Sequence, residues 1–266
     1  VATSLGLFLF SSKGTNLGGL WVNGNNDGLV YDLKEKNSKL FTGYTEDNIK
    51  EVALGKKVRQ EFERSIKAVS DSKLKSIADF DKKYQFHTKE VILVKTERYG
   101  YYNLVQKDGT NVILDIGLSE VFSHGSNTKE FKKRCLFYKA EVPKAFVGNW
   151  KKFDEDDDAE GKATISENGV ISTDSDDTDI LIAKPLREYL VNKSGKVDND
   201  KVQKEFDKIQ KSLKSHGYQA KSVNDIYHDE RSSYYFAVVD GGKRIVILED
   251  SYGDLYSGYI ERQDKD

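Results

Sequence analysis

Cysteine, proline and methionine are almost missing from this chain: one Cys, two Pro and no Met in 266 residues. The single cysteine, Cys135, excludes an intramolecular disulfide and any metal site built on several thiolates. Within the run "CLFYKA" it reads as a small buried hydrophobe. The missing initiator methionine leads us to expect a processed or trimmed chain, which together with the scarcity of Cys points toward an exported protein. Long hydrophobic runs are also absent. "VATSLGLFLF" at 1–10 is too short to cross a bilayer, so no transmembrane segment is expected. Charge of one sign is absent too: 42 basic side chains face 44 acidic ones, for a net charge of -2. That balance gives no electrostatic basis for binding nucleic acid or an anionic membrane. Finally, the chain has no G-x-S-x-G, P-loop or G-x-G-x-x-G, and its four histidines (His87, His124, His216, His228) stand at no zinc spacing.

What is present is a chain long enough for two domains of roughly 130 residues. Hydrophobic residues make up 37 %, with 15 Tyr and 13 Phe, enough for globular cores. The chain also repeats itself. Tyr84-Gln85 matches Tyr218-Gln219, Tyr101-Tyr102 matches Tyr234-Tyr235, and Val112-Ile113-Leu114 matches Val246-Ile247-Leu248. Upstream, "KVRQEFERSIKAV" at Lys57 matches "KVQKEFDKIQKSL" at Lys201, and Trp21 matches Trp150. Repetition at this length means two homologous domains rather than a solenoid. The expected division is 1–130 and 131–266, with a polar linker near 123–134. "GLFLF" and "CLFYKA" then read as the first strand of each repeat.

Within a repeat, alternating apolar runs bounded by Asn, Asp and Gly predict hairpins. Asp108-Gly109 and Asp240-Gly241 mark two of the turns. The period changes to that of a helix at Val58, Phe62, Ile66 and Val69, and again at Val202, Phe206, Ile209 and Leu213. Asp198 or Asn199 is placed to cap the second helix. The predicted fold class is α+β, a tandem duplication. Each repeat is a mostly antiparallel sheet of six or seven strands, open to a barrel-like form, with one amphipathic helix packed on it.

"LGGLW" and "AFVGNWKKF" place Gly19 and Gly148 two residues before Trp21 and Trp150. In this the chain resembles the opening strand of the calycin barrels, the lipocalins and fatty-acid-binding proteins. The resemblance covers about ten residues per repeat and implies a small apolar ligand inside each barrel, lined by Trp21 and Trp150. The mid-repeat helix departs from that family's uninterrupted up-and-down barrel. On the residues alone, each Trp reads as a core side chain closing one end of a sheet.

Two further features carry chemistry. In "DDDAEGKATISE", Asp156, Asp158, Glu160 and Glu167 take positions 1, 3, 5 and 12 of an EF-hand calcium loop. The predicted strands on either side oppose an EF-hand, so the stretch reads as a solvated hairpin loop, with calcium the ion it would take. No other cofactor is expected. The second feature is the pair of tyrosines in each repeat. Neighbours in a strand point to opposite faces, so one of Tyr101/Tyr102 and one of Tyr234/Tyr235 should face outward. With Tyr252, Tyr256 and Tyr259 they predict an aromatic surface on the last strands of repeat two. The expected function is that of a non-catalytic, secreted or cell-surface bacterial binding protein. Its partner would be a protein or glycan, or a small apolar ligand, contacted through Trp21, Trp150, Tyr101 and Tyr234. The alternatives are an enzyme whose site is assembled between the domains and a calcium-dependent interaction module.

Overall fold

A computed structural model describes residues 16–69, 73–118, 127–250 and 254–263. "GLFLF", His124 and Tyr252 therefore lie outside the described residues. The chain forms two compact units, 1–140 and 141–266. The first contains β1 (Gly19–Asn23), β2 (Gly28–Asp32), β3 (Lys39–Phe41), β4 (Glu46–Asn48) and β5 (Glu51–Leu54). After these come helices α1 (Lys56–Ala68) and α2 (Ile77–Tyr84), strands β6 (Thr88–Lys95), β7 (Gly100–Gln106) and β8 (Asn111–Asp115), helix α3 (Thr128–Cys135) and β9 (Leu136–Ala140). The second unit contains β10 (Gly148–Phe153), β11 (Ala159–Ile165), β12 (Val170–Thr173), β13 (Thr178–Ile180) and β14 (Ala183–Pro185). Helices α4 (Leu186–Tyr189) and α5 (Asn199–Ser215) lead to β15 (Ile226–Asp229), β16 (Tyr234–Val239), β17 (Arg244–Glu249) and β18 (Tyr256–Arg262). The fold is a tandem α+β duplication, with nine antiparallel strands per unit among the described residues rather than six or seven.

The two sheets have the same order: β4-β3-β2-β1-β9-β8-β7-β6-β5 and β13-β12-β11-β10-β18-β17-β16-β15-β14. The last strand of each unit returns to pair with the first. The edge strands β4 and β5 are halves of one segment, and so are β13 and β14. At the joint the backbone hydrogen bonds change sides: Ile49 N–H donates to Ser38 O, and Lys50 N–H to Lys95 O. In the second unit Leu181 N–H donates to Gly169 O, while Ile182 O accepts from Glu230 N–H. Laid flat, nine strands would be about 38 Å across. Yet one cluster joins Trp21, Leu29, Leu40, Ile49, Val52, Ile92, Ile113 and Phe137, drawn from strands on both sides of β1 and from the joint. Each sheet therefore curls, with the Trp on its concave face.

The division of units corrects two expectations. "CLFYKA" is not the opening strand of repeat two. Leu136–Ala140 is β9, the closing strand of unit one, with Trp21 opposite Lys139. The stretch 123–134 is not a linker either: its described part enters α3, which carries Phe131 into the core. A meander that closes on itself puts the last strand of one unit directly before the first strand of the next. A new apolar run ahead of a Trp thus looked like a beginning.

The repeat alignment holds in the register. Tyr102 lies opposite Leu114 and Tyr235 opposite Leu248, as the matched residues require. The helices recur in the same role. Val58, Phe62 and Ile66, and likewise Val202, Ile209 and Leu213, are buried against the convex face. Asp198 caps α5 by accepting from Lys201 N–H. The matched Glu of each helix meets the matched Tyr of the sheet: Tyr102 Oη donates to Glu61 at 3.4 Å and Tyr235 Oη to Glu205 at 3.2 Å.

The Gly-x-Trp strands are also built alike. Trp21 Nε1 donates to Leu17 O and Trp150 Nε1 to Phe146 O, each four residues back. The position opposite each Trp is Lys139 or Arg262. Arg262 does far more than Lys139. Its guanidinium donates to Val147 O, Ala145 O and Gly242 O and lies 4.3 Å from the Trp150 ring centre. Gly148, at φ 145, leaves the space it fills. Arg262→Ala should lower the unfolding free energy by about 2–3 kcal/mol, from lost charge-assisted bonds and ring contact. Lys139→Ala, at an exposed site, should change it by less than about 0.5 kcal/mol. Urea denaturation of the two variants checks the contrast.

Candidate functional site

Of the residues expected to bind a ligand, Trp21 and Tyr101 share one core in the first unit, whereas Tyr234 lies outside the cluster around Trp150 in the second. Trp21 and Trp150 are 3 % and 0 % exposed. Side chains this fully enclosed fill the concave cores rather than stand at the wall of an open pocket. Tyr101 is half-buried in the same core as Trp21, and burial pushes its phenol up to about 12. Its neighbour Tyr102 lies buried under α1. Neither faces outward, because both faces of the sheet are covered. Tyr234 is half-buried at the start of β16, opposite Glu249, and is not in the cluster around Trp150.

The acidic loop is a tight turn held by its own first residue. The Asp154 carboxylate accepts from the N–H groups of Asp156 and Asp158. Glu160 is already in β11 and pairs with Lys152 at 2.5 Å, while Glu167 follows the far end of that strand. A strand of that length holds the two glutamates on the order of 20 Å apart. Asp156, Asp158, Glu160 and Glu167 therefore do not converge on one ion as EF-hand positions would. Among the described residues no three His, Cys, Asp or Glu side chains gather in a metal-holding group.

The arrangement that stands out is a row of rings on the convex face of the second unit. Phe153 stacks on Tyr259 at 4.7 Å and 13°. Tyr218 lies 6.2 Å from Tyr259 and 6.3 Å from Tyr256, and His216 stacks on Tyr256 at 4.1 Å and 13°. Cations flank the row: Lys151 Nζ is 5.0 Å from the Phe153 ring centre and the Arg244 guanidinium 5.3 Å from that of Tyr259. Asp254 fixes the far end. It accepts from the Ser212 hydroxyl at 2.7 Å and from Tyr256 N–H, and it stands 3.2 Å from His216 Nε2. Burial raises its carboxyl, but these bonds and His216 outweigh that and hold it below the usual range. The phenols of Tyr256 and Tyr259 are pushed up, first by burial and then by Asp157 and Tyr218. They stay protonated, able to donate and accept.

In the first unit the matching place is closed. Tyr84, the counterpart of Tyr218, stacks on Phe131 at 3.8 Å, and both are buried together with Phe80 and Phe86. Helices α2 and α3 supply those covers. In the second unit, residues 217–222 after α5 form no helix. The link from β17 to β18 runs only from Asp250 to Leu255, too short for an eight-residue helix. Phe153, Tyr218 and Tyr256 are left half-exposed and His216 exposed. Of this row the sequence had marked Tyr256 and Tyr259. It had missed Phe153, His216, Tyr218 and Arg244, whose signal was the short β17–β18 link set against the long one in unit one.

A second cluster lies beneath α5. His228, on β15, is 5 % exposed and stacks on Tyr189 at 3.6 Å and edge-on to Tyr235 at 4.9 Å. Its Nδ1 has no hydrogen-bond partner among the described residues. By register its counterpart is Leu93, an apolar core residue, so unit two carries an imidazole where unit one carries a methyl pair. Burial lowers the His228 pKa, against the opposing pull of Glu230, Asp229, Asp250 and Glu205.

Comparison with protein-family models, curated proteins and solved structures finds no match for this chain.

The His228 environment predicts a pH dependence of fixed sign. With the folded pKa below the unfolded value of about 6.5, the unfolded chain binds the proton more readily. The neutral ring's contribution is complete above that value and declines as the pH falls through it. Urea midpoints measured from pH 7 to pH 5 should drop less for His228→Leu than for the parent chain. An equal drop would show that His228 takes up its proton as readily in the folded chain as in the unfolded one.

Proposed function

We propose that the chain is a non-catalytic binding protein whose second unit contacts a protein partner through Phe153, Tyr218, Tyr256 and His216, the exposed part of the row packed around the buried Tyr259. The observation that carries this is a single contrast. One aromatic position of the repeat is sealed by two helices in the first unit and left half-open in the second. Tyr, Phe and Arg are enriched at protein interfaces, and Tyr and Arg at their energetic centres. Here Arg244 and three tyrosines lie side by side.

The geometry of the rings favours a protein over a glycan. A sugar packs its C–H face on an open ring face. These rings are stacked on one another, and Lys151 and Arg244 stand over Phe153 and Tyr259. What they offer is edges and hydroxyl groups, which suit the mixed polar and apolar surface of a protein. A small apolar ligand at Trp21 or Trp150 has less support, since both rings are enclosed by core side chains. The Cys-poor composition rich in Lys, Asp and Asn supports an extracellular or cell-surface setting in a bacterium. That setting belongs to the proposal.

The test is a capture experiment with the parent chain and the double variant Tyr218→Ser/Tyr256→Ser, against surface proteins of the host and against a panel of glycans. A defined protein that binds the parent and is weakened at least about tenfold by the double variant supports the reading, as loss of two interface tyrosines should cost 1.4 kcal/mol or more. Glycan binding that the double variant abolishes would replace the protein reading with a glycan one. Partner binding unaffected by the double variant would remove the row from the interface.

A further inference from the structure

A different kind of site lies in the first unit, outside the Trp core and at the edge of the buried cluster that holds Phe86 and Leu136. Residues 85–87 follow α2, and the β7–β8 turn faces them. Together with Lys132 of α3 and Leu136 of β9 they enclose a cavity of about 180 Å³. Local chemistry builds it. Gln85 ends α2 in the left-handed conformation, at φ 57, and its N–H donates to Asp81 O. That turn sends Phe86 down into the core, where it forms the floor with Leu136. The walls are fastened to one another: His87 N–H donates to the Gln106 side chain at 2.7 Å, and Lys107 N–H to His87 O at 3.0 Å.

Three basic side chains and one carboxylate stand at the rim. Lys132 Nζ donates to Gln85 O at 3.1 Å and lies 5.3 Å from the Phe86 ring centre, which leaves two of its three donors open. Lys107 and the imidazole of His87 have no side-chain partner among the described residues. The one acid in the lining, Asp108, accepts from the Thr110 N–H at 2.9 Å and the Thr110 hydroxyl at 2.6 Å, bonds that hold its carboxyl below the usual range. The lining thus sets Lys107, Lys132 and His87 against the single carboxylate of Asp108, around an apolar floor. The second unit does not repeat the arrangement. The buried Ala220 stands where Phe86 does, and Tyr259, part of the aromatic row, stands where Leu136 does.

We propose that this cavity binds a small aromatic carboxylate, its ring against Phe86 and Leu136 and its carboxylate met by Lys107 and Lys132. The volume is below the roughly 300–1,000 Å³ of sites for drug-sized ligands, which limits the occupant to about one ring. An ammonium–carboxylate contact in a partly enclosed site is a stronger hydrogen bond than a neutral one, so the charge of the ligand decides its affinity.

The test titrates benzoate into the full-length isotope-labelled chain and follows backbone amide resonances, with benzamide as the neutral shape-match. Benzoate should shift amides of residues 85–88, 106–110 and 132–136 and leave those around Tyr218 and Tyr256 in place. Benzamide should bind at least about tenfold more weakly, and so should benzoate to Lys107→Gln/Lys132→Gln. The single variant Lys107→Gln removes an ammonium with no partner to lose, so its folding is not in question. It should weaken benzoate by about threefold or more. Absence of shifts at millimolar benzoate, equal binding of benzamide, or full affinity in Lys107→Gln/Lys132→Gln would each overturn the proposal. None of these outcomes touches the aromatic row of the second unit.

Discussion

Each unit depends on one short segment, 46–54 in the first and 178–185 in the second, where the backbone stops pairing with one neighbour and starts pairing with the other. A strand edge buried without partners is costly, because every unpaired N–H and C=O forfeits its bonds to water. By changing sides within two residues, the segment gives both ends of the sheet a continuous partner. The sheet must then curl, and the last strand must meet the first. That meeting sets Lys139 against Trp21 and Arg262 against Trp150. It also makes the inside of the curl a filled apolar core, so function is expected on the outside.

On that shared frame the two units use their outer faces differently. Both lay a helix across β6–β7 or β15–β16 and fasten it with a Glu–Tyr bond. The first unit adds α2 and α3 and seals its aromatic cluster. In doing so it encloses a small cavity between Phe86, Leu136 and three basic side chains. The second unit omits those helices, and all of its row but the buried Tyr259 stays at least half-exposed. One duplication thus yields a unit with a small cavity and a unit with an open ring surface, and the difference arises from connection length rather than from the sheet.

The alignment of 101–114 with 234–248 was legible because both stretches are central strands, where packing on two faces restricts each position. The helices over Val58–Ile66 and Val202–Leu213 were legible for a similar reason, since one buried stripe fixes the period. The calcium pattern misled because it counts positions along the chain. An extended strand, rising about 3.3 Å per residue, carries Glu167 away from Glu160, where a loop would have folded it back. The strand 136–140 misled because a closing strand and an opening strand have the same composition. Only its partner tells them apart.

The sequence by itself determined that the chain is a duplication of an α+β unit, where its amphipathic helices lie, and that its two Gly-x-Trp strands play equivalent parts. These are local or repeated signals: a period, a turn dipeptide, a glycine two residues before a tryptophan. The tertiary structure decided where one unit ends, that both Trp rings are sealed, and which rings and lysines are left open. Those outcomes depend on which strand pairs with which and on what a connecting segment covers. Contacts between residues as far apart as Phe153 and Tyr259, or Phe86 and Leu136, have no period along the chain, and only the closed sheet brings them together.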